Sequence, residues 1–145
     1  MLAVLRHEKT PGRVAGYFNH DSDYAGALFE TYEPTNPDAL EPADLVAITV
    51  LSVTVGPPAL RKLEQRLGDL NACFARHRIA DQHLADATDD DLAPMFEANE
   101  ILRGIDNIGP TTASKILARK RPHLIPIYDS MIGDAYGHPH RPDGI

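Results

Sequence analysis

Tryptophan is absent from this 145-residue chain, and aromatic residues make up only 6% of it. The single cysteine, Cys73, cannot form a disulfide within the chain, which excludes a disulfide framework and favours a reducing compartment. The longest apolar stretch, residues 45–55, is broken by hydroxyl residues and is shorter than the roughly 20 residues that cross a bilayer. The five apolar residues before Arg6 are too few for a secretory signal. We therefore expect a cytoplasmic protein with no membrane segment.

Positive charge is scarce, because 14 Lys and Arg residues are outnumbered by 21 Asp and Glu residues, for a net charge of −7. A balance of this sign argues against a protein that binds nucleic acid over its whole surface. The charge is uneven, however. Residues 103–125 contain five basic residues and one acid, a local charge of +4 that leaves −11 for the rest of the chain. A phosphate-bearing partner would bind at this positive segment.

Apolar residues recur at helical spacing, and the alternation typical of exposed strands is missing. We predict an all-α fold, an array of six to eight short helices that forms a single domain over residues 1–137. Thr88 and Asp91 have the spacing of a capping box that would begin a helix leading to Leu102. The tail, residues 138–145, has no packing pattern, and we expect it to be disordered.

Three further segments support the helical prediction. Residues 24–32 have apolar residues one turn apart, and residues 59–67 continue their leucine pattern as far as Phe74. Pro42 is suited to begin a helix that is apolar on nearly all sides and therefore buried. The β-branched residues that follow are also compatible with a strand. Residues 56–58, Gly-Pro-Pro, should end this element.

The segment Leu102-Arg-Gly-Ile-Asp-Asn-Ile-Gly-Pro-Thr-Thr-Ala113 is the most informative part of the sequence. Asn107 and Gly109 flank a tight turn, and both residue types tolerate unusual backbone angles. Pro110 suits the first position of a helix, because its missing N–H would have no partner there. Backbone N–H groups at the start of such a helix are unpaired and lie at its positive end, which makes a site for an anion.

An apolar segment, Leu124-Ile-Pro-Ile-Tyr-Asp-Ser130, follows this turn, and its Asp129 comes twenty positions after Gly109. Over residues 101–131 the chain resembles the helix-hairpin-helix DNA glycosylase superfamily. In that superfamily a Leu-x-Gly-Ile-Gly-x-x-Thr-Ala hairpin holds the DNA backbone and a later aspartate is catalytic. Residues 24–32 and 118–126 also resemble an uncharacterised bacterial family of unknown function. The superfamily has glycine at the position of Asn107.

The resemblance implies a helix-hairpin-helix motif at residues 101–120 and a protein that contacts the phosphate backbone of DNA, with a link to DNA repair or processing. We expect the binding to be weak and independent of sequence, because one hairpin holds one or two phosphates. The expected contacts come from the turn, the first turn of the following helix and its basic residues: Asn107, Gly109, Thr111, Thr112, Lys115, Arg119, Lys120 and Arg121. The last three are equally compatible with a helix end whose dipole favours cations.

Asp129 has two interpretations. It suits the N-cap of a short helix, and it suits the catalytic carboxylate of a monofunctional DNA glycosylase, in which it would stabilise the charge that develops on the sugar. The lysine that a lyase would need is replaced by Thr111, and one cysteine excludes the iron–sulfur cluster of some relatives. The seven histidines show no metal-ligand spacing, so we expect no metal and no cofactor.

A protein of another class is also compatible with the sequence. The charge of −11 outside the hairpin segment and the acid Asp106 beside the turn fit an acidic protein–protein interaction module that keeps the fold without contacting DNA.

Overall fold

The computed structural model describes residues 8–19, 21, 26–79, 81–129 and 132–133. These residues form six α-helices and two 3-10 helices, and they contain no strand, so the all-α prediction is confirmed. The α-helices are α1 (Thr10–Tyr17), α2 (Gly26–Thr31), α3 (Pro42–Ala47), α4 (Pro57–Arg76), α5 (Asp89–Arg103) and α6 (Pro110–Lys120). The 3-10 helices are Ile48–Leu51 and Leu84–Asp86.

The first helix, α1, is not indicated by the apolar pattern, and it buries no residue. Pro11 lies in its first turn, where a missing N–H costs nothing. The next helix, α2, accounts for the described part of the helix predicted at residues 24–32.

The apolar segment that begins at Pro42 is helical rather than extended. It consists of α3 followed directly by the 3-10 helix Ile48–Leu51. Ser52 adopts left-handed angles (φ 61°) and ends this segment four residues before Gly56, so the predicted stop at residues 56–58 is wrong. Gly56 and Pro57 instead begin α4. Val46 is half-exposed, so the segment is less buried than its apolar character predicts.

Helices α4 and α5 make the most extensive helix–helix contact among the described elements. The 20-residue α4 runs without a break through Gly68. Thr88 and Asp91 form the predicted capping box at the start of α5, with the Asp91 N–H donating to the Thr88 side chain and the Thr88 N–H donating to the Asp91 carboxylate. Local sequence therefore determines where α5 begins.

The connection between α5 and α6, residues 104–109, turns the chain back so that α6 packs against α5. Side chains from α4, α5, the connection and α6 form one core. Its members include Leu63, Leu70, Phe74, Met95, Ala98, Leu102, Ile105, Ile108, Ala113, Ile116 and Leu117. This core supports the start of α6 from below.

The chain beyond α6 packs back onto it. Leu124 is buried, and the Ser114 hydroxyl donates to the carbonyl of Tyr128 and accepts from its N–H. The tail predicted at residues 138–145 lies outside the described part of the chain. Within the described part, no helix has both the length and the apolar character needed to cross a membrane.

Candidate functional site

Of the two turn residues predicted to have unusual backbone angles, Asn107 has them and Gly109 does not. Asn107 adopts left-handed angles, with φ at 69°, and Gly109 is the extended N-cap of α6. Ile108 lies between them with its side chain buried in the core, which anchors the turn. Asn107 and Gly109 are exposed, and Pro110 lies in the first turn of α6. The turn therefore presents backbone to solvent on a fixed support.

The N–H groups at this end of α6 are available. Those of Gly109, Thr111 and Thr112 find no acceptor among the described residues, whereas the next one, at Ala113, donates to the Gly109 carbonyl. Unpaired amides at the end of a helix carry the positive end of its dipole. The arrangement provides the polar groups that an anion needs, and no described carboxylate occupies them.

An acidic residue beside the turn is neutralised. Asp106 forms an ion pair with Lys62 of α4, and both side chains are more than half exposed. The hydrogen bond from Lys62 and its positive charge hold the pKa of Asp106 below its ordinary value. The paired carboxylate of Asp106 therefore repels an approaching anion less than an unpaired carboxylate would. The charge of Lys62 is in turn used in this ion pair.

The basic residues of α6 make contacts within the protein, whereas the sequence suggests that they contact nucleic acid. Lys115 is 8% exposed, and its ammonium donates to the carbonyl of Leu51 at 2.6 Å. Burial lowers the pKa of Lys115, and the charge of Asp129 partly offsets this. Ala113, Ile116 and Leu117 are buried on one side of α6, and the 3-10 helix Ile48–Leu51 covers the opposite side.

Arg119 holds the end of α2. Its guanidinium donates to four carbonyls in the last turn of α2 and directly after it, those of Phe29, Glu30, Tyr32 and Glu33. It also donates to the carboxylate of Asp44, at 3.3 Å. Because the last carbonyls of a helix have no partner within it, Arg119 acts as a C-cap supplied from a distant helix.

Lys120 and Asp44 form a buried ion pair. The Lys120 ammonium lies 2.6 Å from the Asp44 carboxylate and also donates to the Thr35 hydroxyl. Asp44 further accepts from Thr35 and from the N–H of Glu41, so its carboxylate has partners on all sides. Burial lowers the pKa of Lys120, and the hydrogen bond to Asp44 partly offsets the shift.

Arg121 is fully buried and connects separate stretches of backbone. Its guanidinium donates to the carbonyls of Pro37, Lys120, Phe74 and His77, and to the Asp38 carboxylate. Its Nε lies 2.9 Å from Nδ1 of His77, so that nitrogen accepts. The other ring nitrogen of His77 then donates to Gln82, which donates to Asp91.

The eight residues predicted to contact nucleic acid thus fall into two groups. Asn107, Gly109, Thr111 and Thr112 lie together at the start of α6, exposed or half-buried. The side chains of Lys115, Arg119, Lys120 and Arg121 make hydrogen bonds within the protein. Arg119, Lys120 and Arg121 had two interpretations, contact with nucleic acid and a structural role at the end of a helix. The structure provides a structural role for each of these cations, and their contact with nucleic acid stays a prediction.

Two residues of this region were not among the predicted contacts. Arg103, at the end of α5, is exposed and makes no ion pair or hydrogen bond within the described part of the chain. The local charge count includes it but cannot distinguish it from the buried cations. Asp44 is the buried partner of two of them, and its position in the first turn of a helix gave no signal of that pairing.

Asp129 has the geometry of a helix N-cap. Its carboxylate accepts the N–H of Ile132 at 2.9 Å, and its carbonyl accepts the N–H of Gly133. A catalytic role for Asp129 is not tested by this geometry and stays a prediction. The described residues contain no group of three or more His, Cys, Asp or Glu side chains placed to hold a metal ion.

Comparison with known proteins identifies the family. Residues 12–144 match a family described as "Family of unknown function (DUF6308)", and the chain belongs to that family. This confirms the resemblance to an uncharacterised family, while the match does not extend to the helix-hairpin-helix glycosylases. No curated protein and no solved structure matches the chain at a significant level.

Proposed function

We propose that this protein binds the sugar–phosphate backbone of nucleic acid, weakly and without sequence preference, through the start of α6. In this proposal α5, residues 104–109 and α6 act as a helix-hairpin-helix motif in DNA repair or processing. A cytoplasmic setting is part of the proposal, because the free thiol of Cys73 is compatible with a reducing compartment.

The observation that carries the proposal is the set of three unpaired N–H groups at Gly109, Thr111 and Thr112. A phosphate oxygen is the ligand that such groups hold best, because the helix dipole adds to the hydrogen bonds. The left-handed turn at Asn107 keeps the amides exposed, and the buried Ile108 fixes their direction.

The charges around the turn limit the affinity. The four basic residues of α6 and its end are committed to internal partners, so the exposed cation next to the connection is Arg103. One or two phosphate contacts give a logarithmic salt slope of about −0.9 each. A dissociation constant of about 10⁻⁴ M or weaker at physiological salt follows from so few contacts.

Thr112→Glu is the variant that tests this proposal. A glutamate in the first turn of α6 interacts favourably with the helix dipole, so the fold is retained, while its charge competes with a phosphate for the same amides. We expect binding of a labelled 20-mer, followed by fluorescence anisotropy at about 20 mM salt, to fall at least tenfold for both duplex and single strand.

Ala93→Glu is the matched control. It makes the same charge change at an exposed position in α5, about 15 Å along the helix from Arg103. If both variants weaken binding equally, the effect is one of net charge and the assigned site is wrong. Substitutions of Lys115 or Arg119 are unsuitable probes, since they would disturb the fold through Leu51 and α2.

A second function, that of an acidic protein–protein interaction module, is favoured by a separate observation. An apolar groove between α3 and α4 has carboxylates at its rim and no cation in its lining. Here the fold would serve a protein partner and the α6 amides would be incidental. Loss of DNA binding in the test above leaves this second function standing.

A further inference from the structure

The groove between α3 and α4 is a cavity of about 300 Å³ that no described segment fills. We call it the α3–α4 groove. Six apolar residues, among them Leu60, Leu63 and Leu67 of α4, line it together with two glutamates, Glu41 and Glu64. Leu60 is 37% exposed, although it projects from a helix whose next leucine, Leu63, is buried. The groove therefore offers apolar surface that folding of one copy leaves open to solvent.

The two glutamates differ in what they do. Glu41 caps α3 and accepts the N–H of Asn36, so its charge is used in the fold. Glu64 is exposed and makes no hydrogen bond or ion pair within the described part of the chain. A segment that fits the groove should therefore be apolar and should carry a cation positioned for Glu64.

Helix α1 has this chemistry. Val14 is 52% exposed and Phe18 is 43% exposed, and they lie one turn apart on the same side of the helix. The sole charged residue of α1 is Arg13, next to Val14, and its side chain has no partner within the described part of the chain. Among the described residues, added Cβ atoms at Gly12 and Gly16 would meet nothing within 4 Å.

Tyr17 contacts the rest of the protein, since its ring lies over Gly26 of α2. Tyr17 also contacts Phe18 edge to face, at 5.1 Å between ring centroids. These contacts hold α1 on the body while Val14 and the outer part of Phe18 stay in water. Helix α1 thus has an exposed apolar stripe and no buried residue, and folding of a single copy leaves this stripe uncovered.

The dimensions of α1 and of the groove agree. Residues 60–67 of α4 line the groove over two helical turns, about 10 Å, and the eight residues of α1 span about 12 Å. We propose that two copies of this chain associate, with α1 of one copy seated in the α3–α4 groove of the other and Arg13 paired with Glu64. Exchange in both directions closes the pair as a symmetric dimer.

This inference deepens the second function by naming the partner, and it does not depend on nucleic-acid binding. One short helix per groove buries less surface than a permanent dimer, so the association is reversible. The test is sedimentation equilibrium of the whole chain over about 10 μM to 1 mM, a range that brackets weak protein–protein association. The expected result is a mass that rises from one copy to two.

Val14→Asp and Leu60→Asp each remove one side of the contact. Both positions are solvent-exposed, so the fold is retained, and we expect each variant to weaken association at least about tenfold. An equimolar mixture of the two restores a heterodimer through one intact contact, because one partner supplies α1 and the other supplies the groove. Phe96→Asp is the matched control, an exposed apolar residue on α5 that should leave association unchanged.

Charge reversal checks the assigned pairing. Arg13→Glu should weaken association, and adding Glu64→Arg to it should restore most of the loss. A monomer at all concentrations, or a Leu60→Asp variant that associates like the unaltered chain, overturns the proposal. DNA binding by the same variants should equal that of the unaltered chain, which separates this result from failure of the α6 site.

Discussion

Asp91 shows how one residue can couple this fold to pH. Its carboxylate accepts hydrogen bonds from the N–H and hydroxyl of Thr88 and from the amide of Gln82, at 2.9, 2.7 and 3.0 Å. These bonds, those from Thr88 foremost, hold the pKa of Asp91 below its ordinary value of 3.8. The unfolded chain therefore binds the proton more readily than the folded chain does. The stabilising contribution is complete above 3.8 and disappears as pH falls through the lower, folded-state pKa.

Asp91→Asn tests this coupling at the residue scale. We expect the unaltered protein to have the higher free energy of unfolding at pH 7, and the difference between the two to shrink as pH falls below about 4. Urea denaturation at several pH values measures it. Asp89→Asn, in the same first turn of α5 but with no hydrogen bond to its carboxylate among the described residues, is the control. A difference that is independent of pH would contradict the assignment.

At the scale of one element, Asn107 determines the geometry of the turn that precedes α6 and of the start of that helix. Its φ of 69° costs a residue with a side chain roughly 1–2 kcal/mol, a cost that glycine avoids. We expect Asn107→Gly to leave the free energy of unfolding unchanged or slightly raised. Removing the side chain also leaves more room for a phosphate beside the α6 amides, so the variant should bind the labelled 20-mer more tightly than the unaltered chain does.

Asn107→Val is the opposing variant, because a β-branched residue tolerates left-handed angles poorly. It should lower the free energy of unfolding by about 1–2 kcal/mol, measured by urea denaturation. Equal binding by the Asn107→Gly variant and the unaltered chain would show that the asparagine side chain does not crowd the phosphate site.

At the scale of a single element, the sequence predicts those features that depend on residues close together in the chain. The Thr88–Asp91 capping box, the helix that starts at Pro110 and the left-handed turn at Asn107 each depend on residues within one turn, and each is found. The end of the 3-10 helix Ile48–Leu51 at Ser52 is not predicted, because a serine with left-handed angles carries no signal in its residue type. Helix α1 was missed because it lacks a buried stripe.

The environment of the cations could not be predicted from local pattern. Lys115 and Arg119 are one turn apart, a spacing that is typical of an exposed face. Their partners, the carbonyls of Leu51 and of the end of α2, lie 64 to 90 residues earlier in the chain. Only the assembled fold brings those carbonyls to α6. A count of charges along the sequence therefore predicts that these cations lie on the surface, although they lie inside.

At the scale of the whole molecule, Arg121 tests how far the fold depends on these internal cations. Arg121→Met leaves several buried carbonyls and Nδ1 of His77 without a donor. We expect the free energy of unfolding to fall by about 3–5 kcal/mol, because each buried acceptor left without a donor costs about 1–3 kcal/mol. Urea denaturation followed by circular dichroism measures the change.

Arg121→Lys should recover only part of that loss, since an ammonium cannot reproduce the planar fork that reaches several segments at once. Arg78→Met, an exposed arginine just beyond α4, is the control and should change the free energy of unfolding by no more than about 0.5 kcal/mol. An Arg121→Met variant as stable as this control would mean that water replaces the guanidinium at little cost.

The reach of Arg119 and Arg121 also has a consequence for the chain as it is being made. The carbonyls of Phe29 and Pro37 receive their donors from residues 84 to 90 positions later. While the ribosome is still adding α4 and α5, the end of α2 and the loop that follows it must remain hydrated. They can settle only when α6 has emerged, so this part of the chain cannot complete its folding before α6 is made.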